Sequence, residues 1–141
     1  FTVREEVGLR GAKIAARRVM PDKAIILDTT TANDMGMVDS HKQVTTCGDG
    51  PALTFMDRRA IIPQKMRDLA MDAAAKRGIP VQLKRGNSGG TDAGEIHLTG
   101  AGVECLVIVI PCRYCHSPVS VCKLSDIDAA RDLAMAVLDE F

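Results

Sequence analysis

Short apolar runs alternate along this chain with stretches of helical spacing. Phe1-Thr2-Val3 consists of residue types that fit a pleated, half-buried surface, so the pattern opens on a strand. Gly8 and Gly11 break the extension, and Ala12 to Val19 reads as a helix with Lys13, Arg17 and Arg18 on its wet side. Met20-Pro21-Asp22 ends it. Ala24-Ile25-Ile26-Leu27 is a continuous apolar run, the mark of a strand covered on both faces, with Asp28 at its carboxyl end. Thr29 to Gly50 is polar and glycine-bearing and reads as a long loop, a feature often tied to function in a compact domain. Pro51 to Met56 reads as a strand. Ile62 to Lys76 has helical spacing, with Ile62, Met66, Leu69, Ala70, Ala73 and Ala74 on one face. Gly78 closes that helix and Pro80 prevents its continuation. Val81 to Lys84 alternates as a strand does, and Arg85 to Gly90 is a glycine-rich turn. A short helix follows through Leu98, with Thr91 as its N-cap. Glu104 to Ile110 is the most hydrophobic strand, and Pro111 to Leu124 is a loop. Ser125 caps a last helix, Asp126 to Leu138, whose early acids suit the positive end of its dipole.

Strands and helices alternating in this order predict an α/β fold. Its expected architecture is three-layer α/β/α, with a mixed, largely parallel sheet between the helices. The 141 residues suit one domain. Eighteen basic residues balance eighteen acidic ones, so no excess charge points to nucleic acid or to an anionic membrane. Aromatic residues make up 3% and there is no Trp, which leaves base-stacking platforms and aromatic sugar clefts poorly supplied. The longest apolar run, Cys105 to Pro111, is strand-sized, and no signal peptide is visible. The odd set of cysteines at 47, 105, 112, 115 and 122 reads as reduced thiols, so the expected location is cytoplasmic. The chain starts without a methionine, in mid-strand by this reading, so upstream residues are expected.

Candidate chemistry gathers at the ends of the predicted strands, where open α/β sheets place their sites. Glu5 and Glu6 end the first, Asp28 ends the second, and His116 follows the last by a few residues. Carboxylate oxygens with imidazole suit Zn²⁺, Co²⁺ or Mn²⁺. Of two adjacent glutamates, one could hold such an ion while the other takes a proton from water beside it. That is a hydrolase in outline.

At these residues the chain resembles the tetrahedral (TET) metallo-aminopeptidases, the family of glutamyl and deblocking aminopeptidases that includes members once named cellulase or endoglucanase M. Val3 to Ala12 carries the Glu-Glu signature. Ile26-Leu27-Asp28, Met56-Asp57-Arg58, Gly89-Gly90-Thr91-Asp92-Ala93 and Arg113-Tyr114-Cys115-His116-Ser117-Pro118 follow in family order. The resemblance implies a zinc-peptidase-like fold and a dinuclear aminopeptidase that takes N-terminal residues from short peptides. By it, Glu5 is the general base that activates water, Glu6 and His116 ligate one metal, and Asp28 ligates the other. The two ions would be Zn²⁺ or Co²⁺, with Mn²⁺ possible. Gly90, Thr91 and Asp92 would line the substrate pocket. A further aspartate and histidine of the family lie upstream of the Glu-Glu motif, as does an inserted barrel-like domain. Residues 1–141 therefore correspond to the C-terminal part of the catalytic domain, incomplete on its N-terminal side and expected to be inactive alone. Assembly of the whole protein into a tetrahedral homo-dodecamer is implied, with neither nucleic acid nor membrane as a partner.

Two other readings stand beside this one. A glycosidase needs two carboxyls ~5 Å or ~6.5–9.5 Å apart across a sugar, which adjacent glutamates do not suggest. A non-catalytic assembly piece would never acquire the missing ligands. Cys112 and Cys115 form a C-x-x-C without a second pair to complete a zinc site. The glycine-rich stretch Gly86 to Thr91 lacks the lysine of a phosphate-binding loop. His41 is expected at a loop surface and His97 at a helix surface or core edge.

Overall fold

The computed structural model describes all of Phe1–Phe141. Its centre is strand β4 (Glu104–Arg113), whose Cys105 to Val109 are each at most 1% exposed. A run without polar alternation needs both faces covered, and β4 has that cover. On one edge β1 (Lys23–Thr31) pairs with it in parallel, from Lys23 opposite Glu104 to Thr31 opposite Cys112. On the other edge β2 (Ala52–Leu53) runs antiparallel to β4, and β3 (Gln82–Leu83) lies parallel to β2. The sheet order is therefore β1-β4-β2-β3, and a short β5 (Val121–Cys122) pairs with the far end of β4.

Two pairs of helices complete the predicted α/β layers. Helices α2 (Gln64–Arg77) and α4 (Leu124–Leu138) pack on each other and on β4. Helix α1 (Arg10–Val19) packs on the short α3 (Ala93–Ile96), which also touches β4. Met66, Ala70, Ala73 and Ala74 of α2 and Ala130, Leu133, Ala136 and Val137 of α4 join the central strand in one apolar cluster. The small alanines let the helices sit close to the sheet. Gly78 closes α2 in the left-handed conformation, as the sequence predicts.

Several expectations need correction. Phe1-Thr2-Val3 is not a strand, because no neighbouring strand supplies the ladder; the Val3 carbonyl instead accepts from the N–H of Gly11 at 2.9 Å. Strand β1 runs on through Thr31, because its pairing with β4 continues and β-branched threonines suit a strand. Asp28 is thus inside the strand rather than at its end. Strand β4 likewise extends to Arg113, and β5 lies within the segment read as a loop. The loop after β1 contains one 3-10 turn, Ser40–Lys42. Strands β2 and β3 are only two residues long. Thr91 does not cap α3; Asp92 occupies the N-cap and its side chain makes no capping bond. Ser125 does not cap α4, which starts at Leu124 after an extended Lys123. Asp126 lies in the first turn of α4, as the sequence predicts. It is 1% exposed, and its carboxylate accepts from the N–H groups of Gly48 (2.8 Å) and Gly50 (3.1 Å), tying the long loop to the helix.

Candidate active site

Glu5 and Glu6 sit on a tight turn that leads into α1. The Glu5 carbonyl accepts from Gly8 N at 3.0 Å and Leu9 N at 2.9 Å, and the Arg4 carbonyl from Arg10 N at 3.2 Å. With the Val3–Gly11 bond these hold the turn against the first residues of the helix. A Cβ on Gly11 would lie 2.4 Å from the Val3 carbonyl oxygen, so only glycine permits that approach. Arg4 (φ 62°) and Leu9 (φ 56°) take left-handed backbone conformations, costly for residues with a side chain.

His116 lies between β4 and β5, on an arm where Tyr114 (φ 61°) and His116 itself (φ 62°) are also left-handed. The base of this arm is clamped. Arg113 donates from Nε to Asp34 Oδ1 at 2.7 Å and from a terminal nitrogen to Oδ2 at 2.9 Å, and Cys47 N donates to the same carboxylate at 2.8 Å. This fork holds the Asp34 carboxyl below its usual pKa range. Backbone strain of this kind persists only where surrounding structure over-determines it, and it clusters at sites of function.

The turn, β1 and the arm enclose a cleft of about 480 Å³. Glu5, Glu6, Asp28 and His116 all line it. Glu6 and His116 are close, with Oε1 3.4 Å from Nδ1, and both side chains are largely exposed. Asp28 enters from β1, and Thr29 N donates to its Oδ1 at 2.7 Å. Gly90 and Thr91 form part of the cleft wall. Asp92 does not line the cleft. It lies beneath the wall, 7% exposed, with Oδ1 enclosed and without a hydrogen-bond partner. Sequence reasoning missed Lys84 and Arg59, which also line the cleft. Lys84 is 5% exposed, and its Nζ donates to the Ser88 carbonyl at 3.1 Å. Its signal was a lysine closing an alternating apolar strand.

The charge balance defines what the cleft can accept. Burial, then Asp28, Glu6 and Asp92, push the Glu5 carboxyl up from 4.5 to about 6. Burial also raises Asp28, against a backbone hydrogen bond that lowers it, with Asp92 and Glu6 adding to the rise. Burial pushes the Lys84 ammonium down from its ordinary value, while Asp57 and Asp28 push it back up. Glu5, Glu6, Asp28 and the nearby Asp92 thus repel one another, even with Lys84 and Arg59 in the lining, and a divalent cation would relieve that repulsion. Carboxylate oxygens with one imidazole are a suitable donor set for Zn²⁺ or a similar ion. No three of this chain's His, Cys, Asp or Glu side chains approach closely enough to enclose an ion by themselves.

The crowding has a cost in the metal-free protein. Glu5 holds its proton more tightly in the folded state than at its ordinary value of 4.5, so folding is favoured below that pH and loses the advantage as pH rises to 6. Solvent screening reduces this to about 1 kcal/mol. Metal-free Glu5→Gln is therefore expected to melt higher than the parent at about pH 7 and to match it more nearly at about pH 4. Thermal melts of both proteins check this, and a difference independent of pH contradicts it.

Known proteins resemble this chain along nearly its whole length. The sequence model of the family described as M42 glutamyl aminopeptidase matches residues 1–133. A protein of Acetivibrio thermocellus described as a putative aminopeptidase is 44% identical over 98% of this chain and 41% of its own length. The structure of an aminopeptidase from Desulfurococcus kamchatkensis superposes with a TM-score of 0.96 at 41% identity, over 99% of this chain and 40% of that one. The TET1 peptidase of Pyrococcus horikoshii, described as able to assemble into a tetrahedron or a large octahedral shell, has a TM-score of 0.81 at 31% identity. That match covers 97% of this chain and 39% of the other. A Thermotoga maritima protein described as an endoglucanase has a TM-score of 0.70 at 35% identity, over 98% of this chain and 38% of its own. The chain thus spans about two fifths of the length of these proteins.

Proposed function

This chain belongs to the M42 glutamyl aminopeptidase family, and on that premise we propose that it is the C-terminal part of the catalytic domain of a dinuclear metal-dependent aminopeptidase. Its substrates would be short peptides. The observation that carries the reading is the convergence of Glu5, Glu6, Asp28 and His116, from distant parts of the sequence, on one cleft.

Glu6 and His116 would hold one divalent ion and Asp28 the other, with the remaining donors coming from the rest of the protein. Such ions, when bound, supply Lewis acidity to the scissile carbonyl and draw the pKa of coordinated water toward ~7. The chain's own residues do the rest. Glu5 takes the proton of the attacking water as the new C–O bond forms, then returns it to the nitrogen as the C–N bond breaks, so the amine leaves neutral. In the metal-free chain burial first, and the neighbouring carboxylates second, raise the affinity of Glu5 for a proton. Lys84 gives Asp28 an opposite charge across the cleft and, through Ser88, steadies the glycine-rich turn. Gly90 and Thr91 form the wall along which a peptide would lie.

The whole protein would assemble as a closed shell of identical subunits, by likeness to the Pyrococcus horikoshii peptidase. No helix of this chain is long and apolar enough to cross a membrane.

The test is hydrolysis by the full-length protein, supplied with Zn²⁺ or Co²⁺, of aminoacyl-p-nitroanilides, their N-acetylated forms and cellulose. The expected outcome is release of nitroaniline only where the amine is free, and no sugar from cellulose. Release of sugar without nitroaniline would instead favour the glycosidase reading.

A further inference from the structure

We propose that Asp92 is a positioning residue that acts through Thr2 to set the Glu5–Glu6 turn in the cleft, a role that rests on the function proposed above. The Thr2 hydroxyl donates to Asp92 Oδ2. The backbone bonds of the turn, from the carbonyls of Val3, Arg4 and Glu5, all reach forward to residues 8 to 11 at the start of α1. They close the turn on itself and on the start of α1, but reach no other element. The Thr2–Asp92 link ties the residues just before the turn to a separate element, across 90 residues of sequence.

Helix capping does not explain Asp92. It occupies the N-cap of α3, yet its side chain makes no capping bond. The carboxylate is turned toward Thr2 instead, with its second oxygen enclosed and unpaired. A buried carboxylate oxygen without a partner carries a desolvation cost that a surface residue would avoid. The platform beneath it is firm. Ala93 is fully buried, and a Cβ on Gly94 would meet the Leu9 side chain at 3.1 Å, so α3 packs directly on the end of the same turn. Supporting residues of this kind typically change metal affinity or activity about 10- to 100-fold when removed.

The test compares Thr2→Val, which keeps the shape and loses the hydroxyl, with Thr2→Ser, which keeps the hydroxyl, in the full-length protein. Asp92→Ala and the Thr2→Val/Asp92→Ala double variant complete the cycle. Thr2→Val is expected to lose about 10- to 100-fold in kcat at saturating Zn²⁺, with KM changed much less. Its Zn²⁺ affinity, read by competition with a chromophoric chelator, should fall as well, because Glu6 rides on the same turn. Thr2→Ser should restore both, and the double variant should be no worse than the poorer single one. Should Thr2→Val fail to fold, Asp92→Asn, which keeps an acceptor for Thr2, is read against Asp92→Ala, with retention in the first and loss in the second expected. Parental kcat and Zn²⁺ affinity in Thr2→Val, or equal defects in Thr2→Val and Thr2→Ser, overturn the proposal. A parent that binds Zn²⁺ but hydrolyses no peptide would count against the proposed function alone, since the affinity comparison still decides the role of Thr2 and Asp92.

Discussion

Glu5→Gln in the full-length protein is expected to leave bound metal in place and to lower kcat by about 10²–10⁴-fold, the range typical of a lost general base. The side chain keeps its size, and its amide oxygen can still accept a hydrogen bond. What disappears is the ability to take a proton from water and return it to the leaving amine. Glu6 and His116, with Oε1 and Nδ1 3.4 Å apart, remain to hold an ion. KM should change little, because Glu5 is not needed to grip the peptide. Metal analysis beside steady-state kinetics checks the prediction. Loss of metal together with turnover would make Glu5 a ligand, and retained turnover would remove it from the reaction.

His116→Ala has the second large expected effect, and it acts on binding before chemistry. The ring reaches the cleft only because its arm is held by the Arg113–Asp34 fork and bent at the left-handed Tyr114 and His116. Removing the imidazole leaves Glu6 as the only one of this pair on the cleft. The expected outcome is loss of one of two equivalents of Zn²⁺ from the full-length protein in equilibrium dialysis, with turnover falling accordingly. Glu6→Ala should lose the same equivalent, and the double variant little more, since by the proposed assignment both side chains would serve one ion. Two equivalents still bound in His116→Ala would separate the ring from the metal.

What could be read from the sequence follows from how local each signal is. The Cys105 to Val109 run identified the central strand, because apolar residues without polar alternation have no other place in an α/β fold. The helix ending at Gly78 was legible from its spacing and its glycine. The glutamate pair, Asp28 and His116 were legible as candidates because carboxylates and imidazole near strand ends suggest metal chemistry, and the structure brings them to one cleft. Phe1-Thr2-Val3 misled because residue preference for a strand has no force without a neighbouring strand to bond. Asp126 was legible as an early acid of α4 but not as the buried anchor of the long loop, because its partners Gly48 and Gly50 lie far away in sequence. The Thr2–Asp92 and Asp34–Arg113 links join residues 90 and 79 apart, with no periodicity to announce them. Lys84 was assigned to its strand, but its burial beside Asp28 depends on folding of segments far from it.

Anomalous diffraction at the zinc absorption edge from crystals of the full-length protein is the most direct test of the metal assignment. The predicted result is two anomalous peaks in the cleft: one within about 2.0–2.2 Å of both the Glu6 carboxylate and the His116 ring, the other at the same distance from Asp28. Glu5 should lie beside the ions without bonding to either. Peaks away from Glu6, Asp28 and His116, or an ion bonded to Glu5 in place of Glu6, would contradict it.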